Sequence, residues 1–204
     1  VHKFISSVVD ETYKTTKKEL QLLFLNQFYL EIETNKYFSL DEFIDIINMQ
    51  DFSARQDFLK ILIQKFTEQI ENRIERTKIN RKANKANAAI FGQELYTTTE
   101  ELLNQLYQVI DTDDTRYSLI ADKLANEILQ CSIEYFNESQ ENDSDNDYIE
   151  IAMKLVKQAE TISVGRLISD RIKDSISTLE EMKNREVLEA IQLLKSIKSA
   201  YEEN

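Results

Sequence analysis

The sequence predicts an all-α protein on three observations. In 204 residues there is no proline, there are only two glycines, and apolar residues step by three and four along nearly the whole chain. Average usage would supply about ten prolines and about fourteen glycines. These residues punctuate strands, hairpins and tight turns, so their scarcity argues against a sandwich, a barrel or a doubly wound sheet. It also removes the Gly-rich phosphate loops and the nucleophile elbow, which need glycine where backbone approaches a ligand. The expected architecture is about eight helices in a right-handed helical-hairpin stack or a bundle, without β-sheet.

Each helix has its own signal. Phe4, Ile5, Val8, Val9 and Tyr13 step at helical spacing and Leu20, Leu23, Phe24, Phe28 and Ile32 continue it, predicting one long or two stacked helices over about 2–34. Asn35 to Ser39 reads as a turn, and Ser39-Leu40-Asp41-Glu42 as a capping box opening a short helix to about Met49. Ser53-Ala54-Arg55-Gln56 is a second candidate box. It would open the longest helix, with Leu59, Leu62, Ile63, Phe66, Ile70 and Ile74 on one stripe, ending near Phe91 with Gly92 as its left-handed cap. Thr98-Thr99-Glu100-Glu101 would cap the next, which carries Leu102, Leu103, Leu106, Tyr107 and Ile110. Asp111 to Thr115 reads as a turn and N-cap cluster before a helix over about 116–137. The polar, acidic stretch Glu138 to Asp147 reads as a mobile loop, followed by helices at about 148–163, 166–183 and 185–202, broken at Gly165 and Asn184.

Charge divides the chain. Residues 1–92 hold 14 Lys/Arg against 13 Asp/Glu, a net of +1, whereas residues 93–204 carry a net of −13. The expected organisation is an N-terminal helical region over 1–92 with one long basic helix, and an acidic helical-hairpin region over 93–204, either separate or continuous. An acidic half disfavours nucleic acid and anionic membrane, because phosphate binding is driven by Lys/Arg neutralisation. No stretch reaches the ~18 apolar residues of a membrane span. The single cysteine, Cys131, cannot form an internal disulfide, which fits a reducing, cytoplasmic setting. The chain starts at Val1 without a basic-then-apolar leader pattern and reads as an excised or processed piece of a longer protein.

The second half contains an internal repeat. Ala152-Met-Lys-Leu155-Val156-Lys157-Gln-Ala159 aligns with Ala190-Ile-Gln-Leu193-Leu194-Lys195-Ser-Ile197 at an offset of 38. Leu124-Ala125, Leu129, Ser132-Ile133 and Phe136 align with Leu167-Ile168, Ile172, Ser175-Ile176 and Leu179 at an offset of 43, the acidic loop absorbing the difference. Two helix–turn–helix units at about 116–163 and 166–202 are predicted. Leu124-Ala125 with Ile128, then Ala152 and Ala159 seven apart, resembles the tetratricopeptide pattern. That resemblance covers 116–202 only, lacks the closing proline, and has Ile197 where the pattern wants alanine. It implies stacked helix pairs whose first helices line a peptide-holding groove. Carried over by position, the groove residues would be Asp122, Asn126 and Gln130, then Ser169 and Lys173.

Catalytic vocabulary is thin. His2 is the sole histidine, so Ser/His and Cys/His dyads and His-rich zinc sites drop out. Cys131 lies among apolar residues with Glu127 and Glu134 nearby, the setting of an inert thiol. Asp143-Ser144-Asp145-Asn146-Asp147 imitates the start of a calcium loop, but Tyr148 and Lys154 occupy the places that need Gly and Glu. Arg73, Arg76, Lys78, Arg81, Lys82 and Lys85 form a basic stretch, of which Lys78, Arg81, Lys82 and Lys85 share a face. Docking against the acidic half or a partner is the favoured role for it, ahead of phosphate contact.

The resulting expectation is a non-catalytic scaffold or adaptor that binds a protein or peptide, or another domain of its parent chain, with no cofactor, metal or catalytic residue. A nucleic-acid-associated or regulatory domain using the basic helix 73–85 is the second reading. A carboxylate-based, metal-dependent enzyme is the third.

Overall fold

A computed structural model describes residues 2–35, 38–50, 52–110, 114–142 and 147–202, with the side chains of 2–12, 15, 186 and 199–202 excluded. The described residues form seven α-helices and no strand: α1 (His2–Asn35), α2 (Leu40–Met49), α3 (Arg55–Ala83), α4 (Ala88–Val109), α5 (Thr115–Glu141), α6 (Tyr148–Ile162) and α7 (Arg166–Glu202). The count is seven rather than about eight.

One boundary accounts for the difference in number, and another is displaced without changing it. The long basic helix stops at Ala83, not near Phe91, and a single 3-10 turn over Lys85–Asn87 follows. Asn84 is extended there, and its side-chain oxygen accepts from the Asn87 amide at 3.2 Å. Asparagine offers the backbone a local alternative to the helix, which the apolar stripe alone did not reveal. Gly92 is therefore no cap; it lies inside α4 and is buried. Thr98 and Thr99 also lie mid-helix, their hydroxyls donating back to the carbonyls of Glu94 (2.8 Å) and Leu95 (2.6 Å). The second correction is at Asn184. α7 runs unbroken through it for 37 residues, so the second hairpin of the expected repeat is not formed. One exposed asparagine costs a helix interior less than about 0.7 kcal/mol, too little to end it.

Other local signals correspond to structure. Ser39 accepts from the Glu42 amide at 3.2 Å while Glu42 accepts from the Ser39 amide at 2.9 Å, a complete capping box. The Ser53 box does not form. Its hydroxyl donates instead to the Gln21 side-chain oxygen at 2.7 Å, across to α1. Asp147 caps α6 by accepting from the Glu150 amide at 3.1 Å. Asp111–Asp113 and Asp143–Asn146, including most of the calcium-like segment, lie outside the described residues, as do positions 36–37 and the His2 side chain.

The chain divides into two compact units, each assembled from separated segments. The first comprises residues 1–69 and 101–117, the second 70–100 and 118–204. Residue 92, the expected boundary, sits inside the second. The first unit is built on aromatics: Phe43 lies 5.2 Å from Phe28 and 5.7 Å from Phe58, and Tyr29 lies 6.4 Å from Phe66. Lys65 stands over the Tyr29 ring and pairs with Glu33. In the second unit, α5 is the central element, burying Leu124, Ala125, Ile128, Leu129 and Cys131 completely. α6 turns Ala152, Val156 and Ala159 inward, and the Ser132 hydroxyl donates to the Ala152 carbonyl at 2.8 Å. Gly92 allows α4 the same closeness: a Cβ there would stand 2.8 Å from the Cys131 Cβ and 3.2 Å from Leu155.

Candidate interaction surfaces

Along α3, Phe58, Leu62, Phe66, Ile70 and Ile74 face inward at steps of four, and Thr77 and Arg81 continue that stripe. Arg81 is thus carried off the expected basic face into the second unit, where it is 4% exposed. Its Nε donates to Glu127 Oε1 at 2.7 Å and one terminal nitrogen to Glu127 Oε2 at 3.2 Å. The other terminal nitrogen pairs with Glu134 two turns further along α5. Burial pushes the Glu127 carboxyl up from its ordinary value, and the Arg81 guanidinium offsets part of that rise. The 70-74-77-81 register was the sequence signal for this ion pair, which sets one cation of the basic stretch against two carboxylates of the acidic half.

Around this triad lies an open groove of about 860 Å³ between α3 and α5. Lys78, Lys82 and Lys123 line it together with Glu71, Glu75, Asn126 and Gln130. Charges of both signs alternate along its walls: Lys123 bridges Glu71 at 2.6 Å and Lys78 bridges Glu75 at 3.1 Å. Arg73 and Arg76 belong elsewhere, lining a smaller recess with Phe91 and Glu94 of α4. Lys85 stands exposed in the 3-10 turn. Arg73 and Arg76 thus stand apart as expected, whereas the four cations expected to share a face are divided among the buried triad, the groove wall and the 3-10 turn.

Most of the five groove positions implied by the repeat resemblance work inside the chain. Asp122 accepts from the backbone amides of Val164 and Gly165, both at 2.9 Å, fastening the α6–α7 connection to α5. A Cβ at Gly165 would collide with that carboxylate, which explains the glycine. Asn126 accepts from Arg171 at 2.7 Å, and the Ser169 hydroxyl meets that of Ser163 at 3.2 Å. Gln130 lines the α3/α5 groove and Lys173 is exposed. What looked like a row of groove contacts is largely the seam that seats α7.

α7 itself has two halves. Ile168, Ile172 and Leu179 are buried, and Lys183 pairs with Glu150 of α6. Beyond Met182 no described side chain is buried. Val187, Leu188, Ile191, Leu193, Leu194 and Ile197 are all between 41 and 66% exposed. Sequence reasoning gave these residues to a hairpin's second helix, where they would have packed. In the first unit, α1 leaves a second apolar strip, with Leu20 and Phe24 lining a shallow recess of about 410 Å³ beside Phe52.

Burial, with Glu127 beside it, pushes the Cys131 thiol up to about 12, so it stays protonated. Among the described residues no group of three His, Cys, Asp or Glu is placed to hold a metal ion. Nor is any helix among them long and apolar enough to cross a membrane. Comparison with protein-family models, curated proteins and solved structures finds no match for this chain.

Proposed function

We propose that this chain is a non-catalytic helical scaffold that binds another protein, and that the outer half of α7 is its docking element. One observation carries the reading. From Lys183 to Lys198 every described side chain is exposed, yet the segment holds six large aliphatics. Helices owe most of their stability in proteins to packing of an apolar face. A contiguous exposed apolar strip on a water-facing surface marks an interaction site. The stripe is unsatisfied by its own fold and invites a partner. The mixed-charge α3/α5 groove, whose rim carries Lys78, Lys82 and Gln130, offers a second, polar contact region.

The lone buried thiol supports a reducing, cytoplasmic setting for the scaffold. Phosphate recognition has less support, because Arg81 is committed to Glu127 and Glu134 and the remaining cations are dispersed.

The test compares complexes captured from native extract by the chain and by Leu194→Asp. Loss of specific partners with unchanged helical circular dichroism is expected. An identical set of partners for both proteins would overturn the assignment of α7.

A further inference from the structure

Between α3 and α4 the second unit holds a polar recess of about 290 Å³. Arg73, Arg76, Thr77 and Asn80 line it from α3 at steps of three and four, and Phe91, Glu94, Leu95 and Thr98 line it from α4 at the same steps. Both arginines are exposed, and among the described residues neither pairs with a carboxylate, not even with Glu94 across the recess. Their neighbours on α3 differ: Lys78 pairs with Glu75, and Arg81 is buried against Glu127. Thr77 is 8% exposed, yet its hydroxyl bonds no described group. A side chain buried to that degree ordinarily has a hydrogen-bond partner; here the recess is its open side. The half-buried Asn80 amide is likewise unpaired among the described residues. Two guanidiniums against one carboxylate leave the recess with one uncompensated positive charge.

We propose that this recess takes the carboxylate side chain of an acidic peptide, held by the Arg73 and Arg76 guanidiniums with the Thr77 hydroxyl and the Asn80 amide as further donors. The planar guanidinium fork matches a carboxylate bidentately. One negative charge brings the recess to neutrality, whereas a phosphate group of nearly two charges would leave an excess beside Glu94. The α4 wall fits a peptide better than a bare ion. Glu94 accepts a backbone N–H of the peptide, and Thr98, whose hydroxyl donates to the Glu94 carbonyl at 2.8 Å, keeps lone pairs to accept another. The half-buried Phe91 supplies an apolar edge for an aliphatic side chain next to the acidic one. No residue of α7 lines the recess, so its occupant is independent of whatever docks on the tail.

The full chain is titrated with a blocked peptide of alternating leucine and glutamate, followed by NMR through the arginine Nε–H resonances. Saturable binding that shifts two of these resonances is expected. Arg73→Gln or Arg76→Gln should each weaken it roughly 10-fold or more, and because both side chains are exposed the helical circular dichroism should not change. Lys85→Gln, outside the recess, should leave it intact. Equal binding of the same peptide with glutamine in place of glutamate, or equal weakening by Lys85→Gln, would overturn the site. Inorganic phosphate bound more tightly through the same two arginines would overturn the carboxylate, and acetate bound as tightly as the peptide would overturn the peptide. Binding that does not saturate by roughly 10 mM would remove the recess as a site, and leaves the reading of α7 to its own test.

Discussion

Arg81 shows how one side chain can change role with register. Counted with Lys78, Lys82 and Lys85 it belonged to a basic face expected to dock against the acidic half or a partner; on the inward stripe of α3 it is a buried fork holding two carboxylates of α5. Removing one member of such a set costs more than the set contributes, because it strands a charge away from water. Arg81→Met should therefore destabilise the protein by about 3–5 kcal/mol, and adding Glu127→Leu should restore part of that loss. Urea unfolding of the unaltered protein and the two variants measures it, and a double variant less stable than the single would contradict the account. Gly92→Ala is the complementary case. It gains about 1 kcal/mol of helix propensity but pushes a methyl into Cys131, so a net loss of about 1–3 kcal/mol is expected. A raised urea midpoint would contradict that. Cys131 should resist a disulfide reagent at neutral pH until the fold opens, its labelling rate following unfolding. Gly165 was legible as a helix break, but the side chain it makes room for, like the one Gly92 makes room for, lies far along the chain.

At the scale of the element, local signals were a mixed guide: the Thr98–Glu101 cap lies inside α4 and the Asn184 break inside α7. The Ser39–Glu42 box is local and formed as expected. The Ser53 box was displaced by Gln21, 32 residues earlier. Similarly, the 38-residue offset is real as sequence, yet α7 passes through Asn184 without a turn. Periodicity marks which face of a helix is apolar, and nothing in it says whether that face meets the same chain. The seating of α7 also carries a pH dependence. Lys183 holds the Glu150 carboxyl below its usual value, so this tether is present above the ordinary carboxylate range and is lost as pH falls through the lowered value. Amide protection near residues 179–183 should stay constant from about pH 5 to 8 and drop below about pH 4. Protection that fell in the neutral range would mean another contact seats the helix.

For the whole molecule, composition was a sound guide to class and a poor one to organisation. The division by charge near residue 92 describes solvation, whereas the two compact units draw on α3 and α4 jointly. No described side chain in the outer half of α7 is buried. Deleting residues 184–204 should therefore leave the urea midpoint of the dilute protein unchanged while lowering the helical circular dichroism by the share of the lost turns. A large fall in the midpoint would show that the tail packs on its own fold. By itself, the sequence determined the all-helical class, the course of most helices and the poverty of catalytic groups, since these follow from short-range periodicity and from residue types that are absent. Only the tertiary structure decided that Arg81 is buried, that Asp122 and Asn126 serve the chain's own seam, and that the α7 stripe faces water. Each of those depends on which surfaces meet across tens of residues, and hydrophobic burial, being non-directional, does not record its partner in the local pattern.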